Sequence, residues 1–313
     1  MKKLESLMLA TAAVFTMALS LPIEAKVTMP PFFSDHMVLQ HSTDVKLWGT
    51  AEPGAKVSVK PSWGHALKTQ ADESGAWHLI LRTPGPGGPY SLTVSDGEKL
   101  TFSDILCGEV WLCGGQSNMA MAVGGKAGKV NGWEKELAEA ETHSDIRLLH
   151  VTKRMAARPM DTIEVEKGGW TRSSAETVDR FSATAWFFGK QIAAETHMPV
   201  GLIESCWGGT RIESWTSGQT LGQMESFREQ VEMLKDIPDT REEQAAHFER
   251  QVALWQQEMS KLDYAYTDGR LVWAQPDADL SGWTACKVPG YLQRQGLTGY
   301  HGFFWMRRSG CQR

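Results

Sequence analysis

Between residues 26 and 104 the apolar positions alternate with polar ones in short runs. Val57-Ser58-Val59, Trp77-His78-Leu79-Ile80-Leu81 and Tyr90-Ser91-Leu92-Thr93-Val94 each place every second residue on an apolar face. Turn residues precede them: Glu52-Pro53-Gly54, Asp72-Glu73-Ser74-Gly75 and the glycine-proline cluster at 84–89. This spacing predicts a small β-sandwich domain over 26–104. From 105 the period changes. A strand-type run at 109–113, a helix around 133–141, a strand at 146–151, a helix at 182–197 and a buried-type strand at 200–205 follow one another. In the 182–197 helix Ala183, Trp186, Phe187 and Ile192 share roughly one face, and Ser182 can cap it. Strands alternating with helices predict a largely parallel sheet, whose ligands sit beyond the C-terminal strand ends. Residues 222–263 are charged, with apolar positions at helical spacing, and read as two amphipathic helices broken near Pro238. After 265 aromatic residues lie among turn residues, from Trp273 and Trp283 to Phe303, Phe304 and Trp305.

One stretch carries candidate chemistry. The apolar run Val110-Trp111-Leu112-Cys113 meets Gly114-Gly115, then Gln116-Ser117-Asn118-Met119, and a helix can begin over 118–123. A strand, a tight glycine turn and a helix start would expose the Ser117 hydroxyl at a sheet edge among backbone N–H groups. A serine nucleophile needs that setting, because it must be reachable and its oxyanion needs preorganised donors. The spacing alone fits a polar turn with Ser117 as a helix cap better than a nucleophile. A second glycine turn, Gly208-Gly209-Thr210, follows the 200–205 strand and can share the same sheet edge; close packing would also account for it.

Composition narrows the field. With 313 residues, 42% hydrophobic and 22% charged, the chain is an ordinary globular protein of about two domains. A net charge of −5 gives no basic surplus for nucleic acid or an anionic membrane. Lys2 and Lys3 followed by a mostly apolar run to Leu21, with Ala25 ahead of Lys26, read as a secretory signal over 1–25. The expectation is an exported protein, periplasmic or extracellular, free of the membrane once the signal is removed. Five cysteines form no disulfide framework, and Cys113 and Cys206 are expected as buried thiols. No Cys/His cluster has zinc spacing, and no metal or cofactor is called for. His36 and His41 are expected in surface or turn positions.

The string Gly115-Gln116-Ser117-Asn118-Met119, after Gly108-Glu109-Val110-Trp111, resembles the nucleophile block of the SGNH-hydrolase superfamily and, more narrowly, of the sialate O-acetylesterase family of carbohydrate esterases. The opening at 32–40 and the stretches at 45–55, 181–190 and 199–215 are similar to the same family. The resemblance implies an SGNH-like α/β/α domain over 105–264, a β-sandwich companion without catalytic residues, and the start of an inserted β domain at 265–313. It makes Ser117 the nucleophile. It makes Gly115, Gln116, Asn118, Gly208, Gly209 and Thr210 the active-site loops, with a glycine N–H of the second loop in the oxyanion hole. It implies O-acetylated sialic acid or another acetylated glycan as substrate.

A serine esterase also needs a base, usually oriented by an acid. The superfamily supplies them as Asp-x-x-His, and no such pair occurs in this sequence. The family's Trp-Tyr-Gln-Gly-Glu block is absent too. The expectation is a truncated product of little activity, holding the nucleophile without its partners. His143, His150, His197, His247 and His301 are the other candidates for a base, His150 first because it follows a strand. The competing function is a non-catalytic carbohydrate-binding or structural fragment. A lipase is a weaker third, because the serine block differs from Gly-x-Ser-x-Gly.

Overall fold

The structure, a computed structural model, describes residues 27–126, 128–238, 240–299 and 304–308. The expected signal at 1–25, His301, Phe303 and Cys311 lie outside the described residues. The chain divides into two compact units, 1–225 and 226–313.

Among the described residues of the first unit seven strands come before any helix: β1 (Val38–Gln40), β2 (Asp44–Thr50), β3 (Lys56–Pro61), β4 (Leu67–Gln70), β5 (Ala76–Arg82), β6 (Gly87–Ser95) and β7 (Lys99–Gly115). β2 and β5 form an antiparallel pair. β4, β3, β6 and β7 form an antiparallel sheet, and β1 joins β7 in parallel. The alternation read in the sequence is the burial pattern observed. Trp77, Leu79 and Leu81 of β5 and Val57 and Val59 of β3 point into one core, with Leu47, Leu92 and Val94. Each such large side chain removed from water contributes roughly 1.5–3 kcal/mol.

β7 does not stop at residue 104. Its first half pairs with β6 and its second half pairs in parallel with β10 (Val200–Cys206), from Glu109–Val200 to Gly115–Cys206. β8 (Ile146–His150) continues the sheet beyond β10 in parallel, and β9 (Thr171–Arg172) closes it antiparallel. The observed order β4-β3-β6-β7-β10-β8-β9 is therefore one mixed sheet threaded through β7. Helix α1 (Trp133–Glu139), the short α2 (Ala175–Asp179) and α3 (Ala183–Thr196) flank its α/β part. Ser182 caps α3 by accepting from the Ala185 N–H, and Trp186 is fully buried among Ile146, Leu148, Val200 and Leu202. α4 (Gly218–Leu221) ends this unit's helices.

The helix expected over 118–123 is not formed. Ala120 N–H reaches Gln116 O, a single turn, and the chain then runs beside 181–183. Ala183 N–H donates to Met121 O and Val123 N–H to Phe181 O. Tertiary pairing takes the backbone groups that a helix would use.

Asp104, near the middle of β7, gathers three partners. His36 Nδ1 lies 2.7 Å from its Oδ2, Arg147 donates to the same oxygen at 3.1 Å and Arg172 Nε at 2.9 Å. Burial pushes this carboxyl up; the His36 hydrogen bond and the charges of Arg147 and Arg172 outweigh it and hold it below its ordinary value. His41, at a turn as expected, sits 3.2 Å from Glu109.

The second unit contains α5 (Arg228–Met233) and α6 (Arg241–Leu262) with Pro238 between them, as the periodicity predicts. Beyond α6 the strands among the described residues are β11 (Tyr266–Thr267) and β12 (Arg270–Leu271), a minimal antiparallel pair. Trp273 packs edge-on against Trp283 and Trp305, and Trp305 Nε1 donates to the Asp263 carboxylate. Phe304 is half exposed.

Candidate active site

β7 and β10 run side by side and end together, so the two glycine turns leave the sheet at the same edge. The register fixes this: Cys206 is opposite Gly115, and Trp207 N–H donates to Gly115 O at 2.9 Å. Gly115 (φ 146°) and Gly209 (φ 83°) hold backbone conformations that side chains disfavour. A Cβ on Gly208 would lie 3.6 Å from Ser117 Oγ and 3.9 Å from Ser117 N. The two loops therefore meet, with Ser117 exposed. Thr210 fastens the second loop, its Oγ1 donating to Trp207 O and accepting from Trp215 Nε1. Asn118 O accepts from Thr184 Oγ1, tying the serine turn to α3, while Gln116 is exposed.

The neighbouring thiols do not compete for the role of nucleophile. Burial pushes Cys113 up to about 11, and Cys206 to about 12 with help from its bond to Glu204, so both stay protonated. Both are buried free thiols, as is Cys107.

Beneath the turns lies an arrangement that sequence reasoning missed. Glu204 of β10 is buried; its carboxylate accepts the Ser182 N–H at 2.8 Å and the Cys206 thiol at 3.1 Å. Ser182 Oγ in turn reaches Met119 Sδ at 3.3 Å. One carboxylate thus joins the strand before the Gly208 turn, the start of α3 and the loop after Ser117. An acidic residue directly after the apolar run Val200-Gly201-Leu202-Ile203 was the only available signal.

Ser117 opens into a cavity of about 720 Å³ walled by Met121, Lys126, Asp179 and Arg180. Among the described residues no side chain hydrogen-bonds to Ser117 Oγ. The first unit's histidines proposed as bases are elsewhere. His150 ends β8 and lines a different cavity. His143 packs edge-on against Trp186, His197 caps α3 with φ 56°, and His247 is on α6 of the second unit.

A family model described as carbohydrate esterase, sialic acid-specific acetylesterase matches residues 107–263. This chain belongs to that family. It is 31% identical to the human sialate O-acetylesterase over 206 residues, covering 61% of this chain and 39% of that protein. The mouse sialate O-acetylesterase is 30% identical over the same length, with 37% of it covered. The chain therefore spans about two-fifths of the length of these curated relatives. A carbohydrate acetylesterase from Xanthomonas citri shares the fold with a TM-score of 0.58 at 32% identity, over 63% of this chain and 43% of that one. The family match begins in β7 just before the serine turn and takes in both glycine loops.

Proposed function

We propose that this protein is a serine carbohydrate esterase of the sialate O-acetylesterase type, removing O-acetyl groups from sialic acids or other glycans. The observation that carries the reading is the exposed Ser117 hydroxyl set against Gly208 at the edge where β7 and β10 end. Ser117 Oγ attacks the acetyl carbonyl and yields its proton to a base. The Ser117 and Gly209 N–H groups hold the oxyanion. The C–O bond to the sugar then breaks, the sugar oxygen takes a proton, and an acetyl ester remains on Ser117. Water cleaves it to acetate. Gly115, Gln116, Asn118, Gly208 and Thr210 shape the two loops around these steps.

Taken alone, the chain turns over slowly, because its sequence has no Asp-x-x-His pair and no base reaches Ser117 among the described residues. Loss of a triad member leaves roughly 10³–10⁴-fold catalysis over water. The 26–104 strands serve as a β-sandwich companion, and the apolar N-terminus directs export. The lack of a base at Ser117 among the described residues also favours the second reading, a carbohydrate-binding fragment.

Acetate release from O-acetylated sialic acid by this chain and by Ser117→Ala separates them. Slow release that Ser117→Ala abolishes, with an acetyl group trapped on the Ser117 peptide by mass spectrometry, is expected. Equal release by both proteins overturns the nucleophile. Full esterase rates overturn the slow-turnover claim.

A further inference from the structure

The back half of β7 is built as an inner strand and stands at an edge. Its backbone groups alternate between two sides. Toward β10, Glu109 N–H donates to Pro199 O and Gly115 O accepts from Trp207 N–H. The other way, Leu106 N–H donates to Met37 O, Gly108 O accepts from His41 N–H and Val110 N–H donates to the Gln40 side chain. That second lane is held by β1, which runs parallel to β7 and ends at Gln40. By the same alternation the N–H and C=O of Leu112 and Gly114 face the lane beyond β1. Among the described residues nothing pairs with them there. Both faces of the strand carry apolar side chains in the open. Leu112 is 72% exposed on one face. On the other, Trp111 stands edge-on to Phe188 of α3 at 4.9 Å, and both rings are exposed. Edge strands are ordinarily guarded by charge or proline, whereas a strand apolar on both faces belongs between neighbours in a parallel sheet.

From this geometry we infer that the open lane beside Leu112 and Gly114 is a docking site for one parallel β-strand, supplied by a polypeptide that carries the rest of an esterase domain. The direction follows from the neighbours, since β1 in the same lane and β10 across the strand both run parallel to β7. A second copy fits worse. Two β7 edges related by a two-fold pair antiparallel, and centred on Leu112 they would drive each copy's β1 into the other's Ser117 turn. The choice of partner follows from the relatives. The human sialate O-acetylesterase is matched over 39% of its length and the Xanthomonas citri acetylesterase over 43%, so both carry segments outside the match. The lane also leads to the place where chemistry is short of a group. A parallel strand seated in it ends beside the Ser117 turn, at the sheet edge where ligands bind, and can bring a base to it. That delivery rests on the reading of Ser117 as the nucleophile; the docking lane does not.

Co-expression tests this without asking the second polypeptide to fold by itself. The full chain carries an affinity tag, and the probe is the part of the Xanthomonas citri acetylesterase outside the matched share. Co-purification is expected. Amide exchange at Leu112 and Gly114 should slow by about tenfold relative to the chain alone, the effect of one added hydrogen bond. Acetate release from O-acetylated sialic acid should rise about 10²–10⁴-fold, the effect of a positioned base. Leu112→Lys, which puts a charge on the edge, should abolish all three while leaving the chain's own unfolding midpoint in place. Ile80→Lys, at an exposed apolar position on β5, should leave all three intact. Failure to co-purify, or co-purification with unchanged exchange at Leu112 and Gly114, overturns the docking lane. A complex that survives Leu112→Lys overturns it too. A dimer of the chain alone that Leu112→Lys dissolves overturns the choice of partner. A complex with slowed exchange and no added acetate release supports the lane and overturns the esterase reading.

Discussion

Gly108 sits where β7 leaves its antiparallel partner and joins β10, and replacing it with alanine should loosen that junction. A Cβ there would lie 2.0 Å from the Pro199 carbonyl oxygen and 2.6 Å from its carbon. The obstacle is backbone, so no side-chain rotation relieves it. The same oxygen accepts the Glu109 N–H at 2.8 Å, and pushing it away sacrifices that bond. Overpacking of this kind costs about 1–3 kcal/mol, and the lost hydrogen bond adds about 0.5–1.5 kcal/mol. Alanine restricts the unfolded chain, which offsets about 0.4–1 kcal/mol. The balance is a loss of about 2 kcal/mol, which at a slope of about 1–3 kcal/mol per molar lowers the urea midpoint by about 1 M. Gly114→Ala is the control, because its nearest neighbour would be Ser205 O at an ordinary 3.5 Å; its stability should stay within about 0.5 kcal/mol of wild type. Urea unfolding followed by tryptophan fluorescence reads both. A Gly108→Ala midpoint equal to that of wild type would refute the argument that this close approach is needed.

Two further outcomes follow from the buried polar groups. Glu204→Ala strands the Ser182 N–H in the core and should cost about 1–3 kcal/mol, while Glu204→Gln, which keeps an acceptor, should cost less; equal unfolding midpoints for the two would show that the acceptor does not matter. Asp104 has its carboxyl held below the ordinary value, so its ionised form stabilises the fold above the unfolded value near 4. That contribution is lost as pH falls through the lower folded value. Asp104→Asn should therefore be less stable than wild type at pH 7, with the gap narrowing toward pH 3; a gap that does not change with pH would contradict the ion-pair account.

Much of the α/β part was legible because its signals are local. Ser182 caps α3, His197 ends it, and the short apolar run at 200–203, ahead of a glycine turn, fits a buried strand. The alternation in Trp77-His78-Leu79-Ile80-Leu81 reports one buried face just as directly. What the sequence hid depends on contacts between distant segments. The turn after Ser117 looks helical until residues 181–183 arrive to claim its backbone. Asp104, His36, Arg147 and Arg172 are scattered through the chain and become a cluster only in the fold. The meeting of Ser117 with Gly208 was foreseeable from two glycine turns that each follow a strand. Asp179 and Arg180 were not, since an acidic-basic pair ahead of a helix cap carries no mark of what it will face.

β7, a strand of 17 residues with a left-handed residue at Asp104, runs through two neighbourhoods. Its front is knitted to β6 and its back to β10, with no loop between. Two beads on a string can swivel, be swapped or be cut apart. A single continuous strand resists all three. Excising the front strands would mean severing a hydrogen-bonded rod in mid-span, upstream of the serine it delivers. The front region thus travels with the nucleophile as the fixed end of a cantilever whose tip is Ser117.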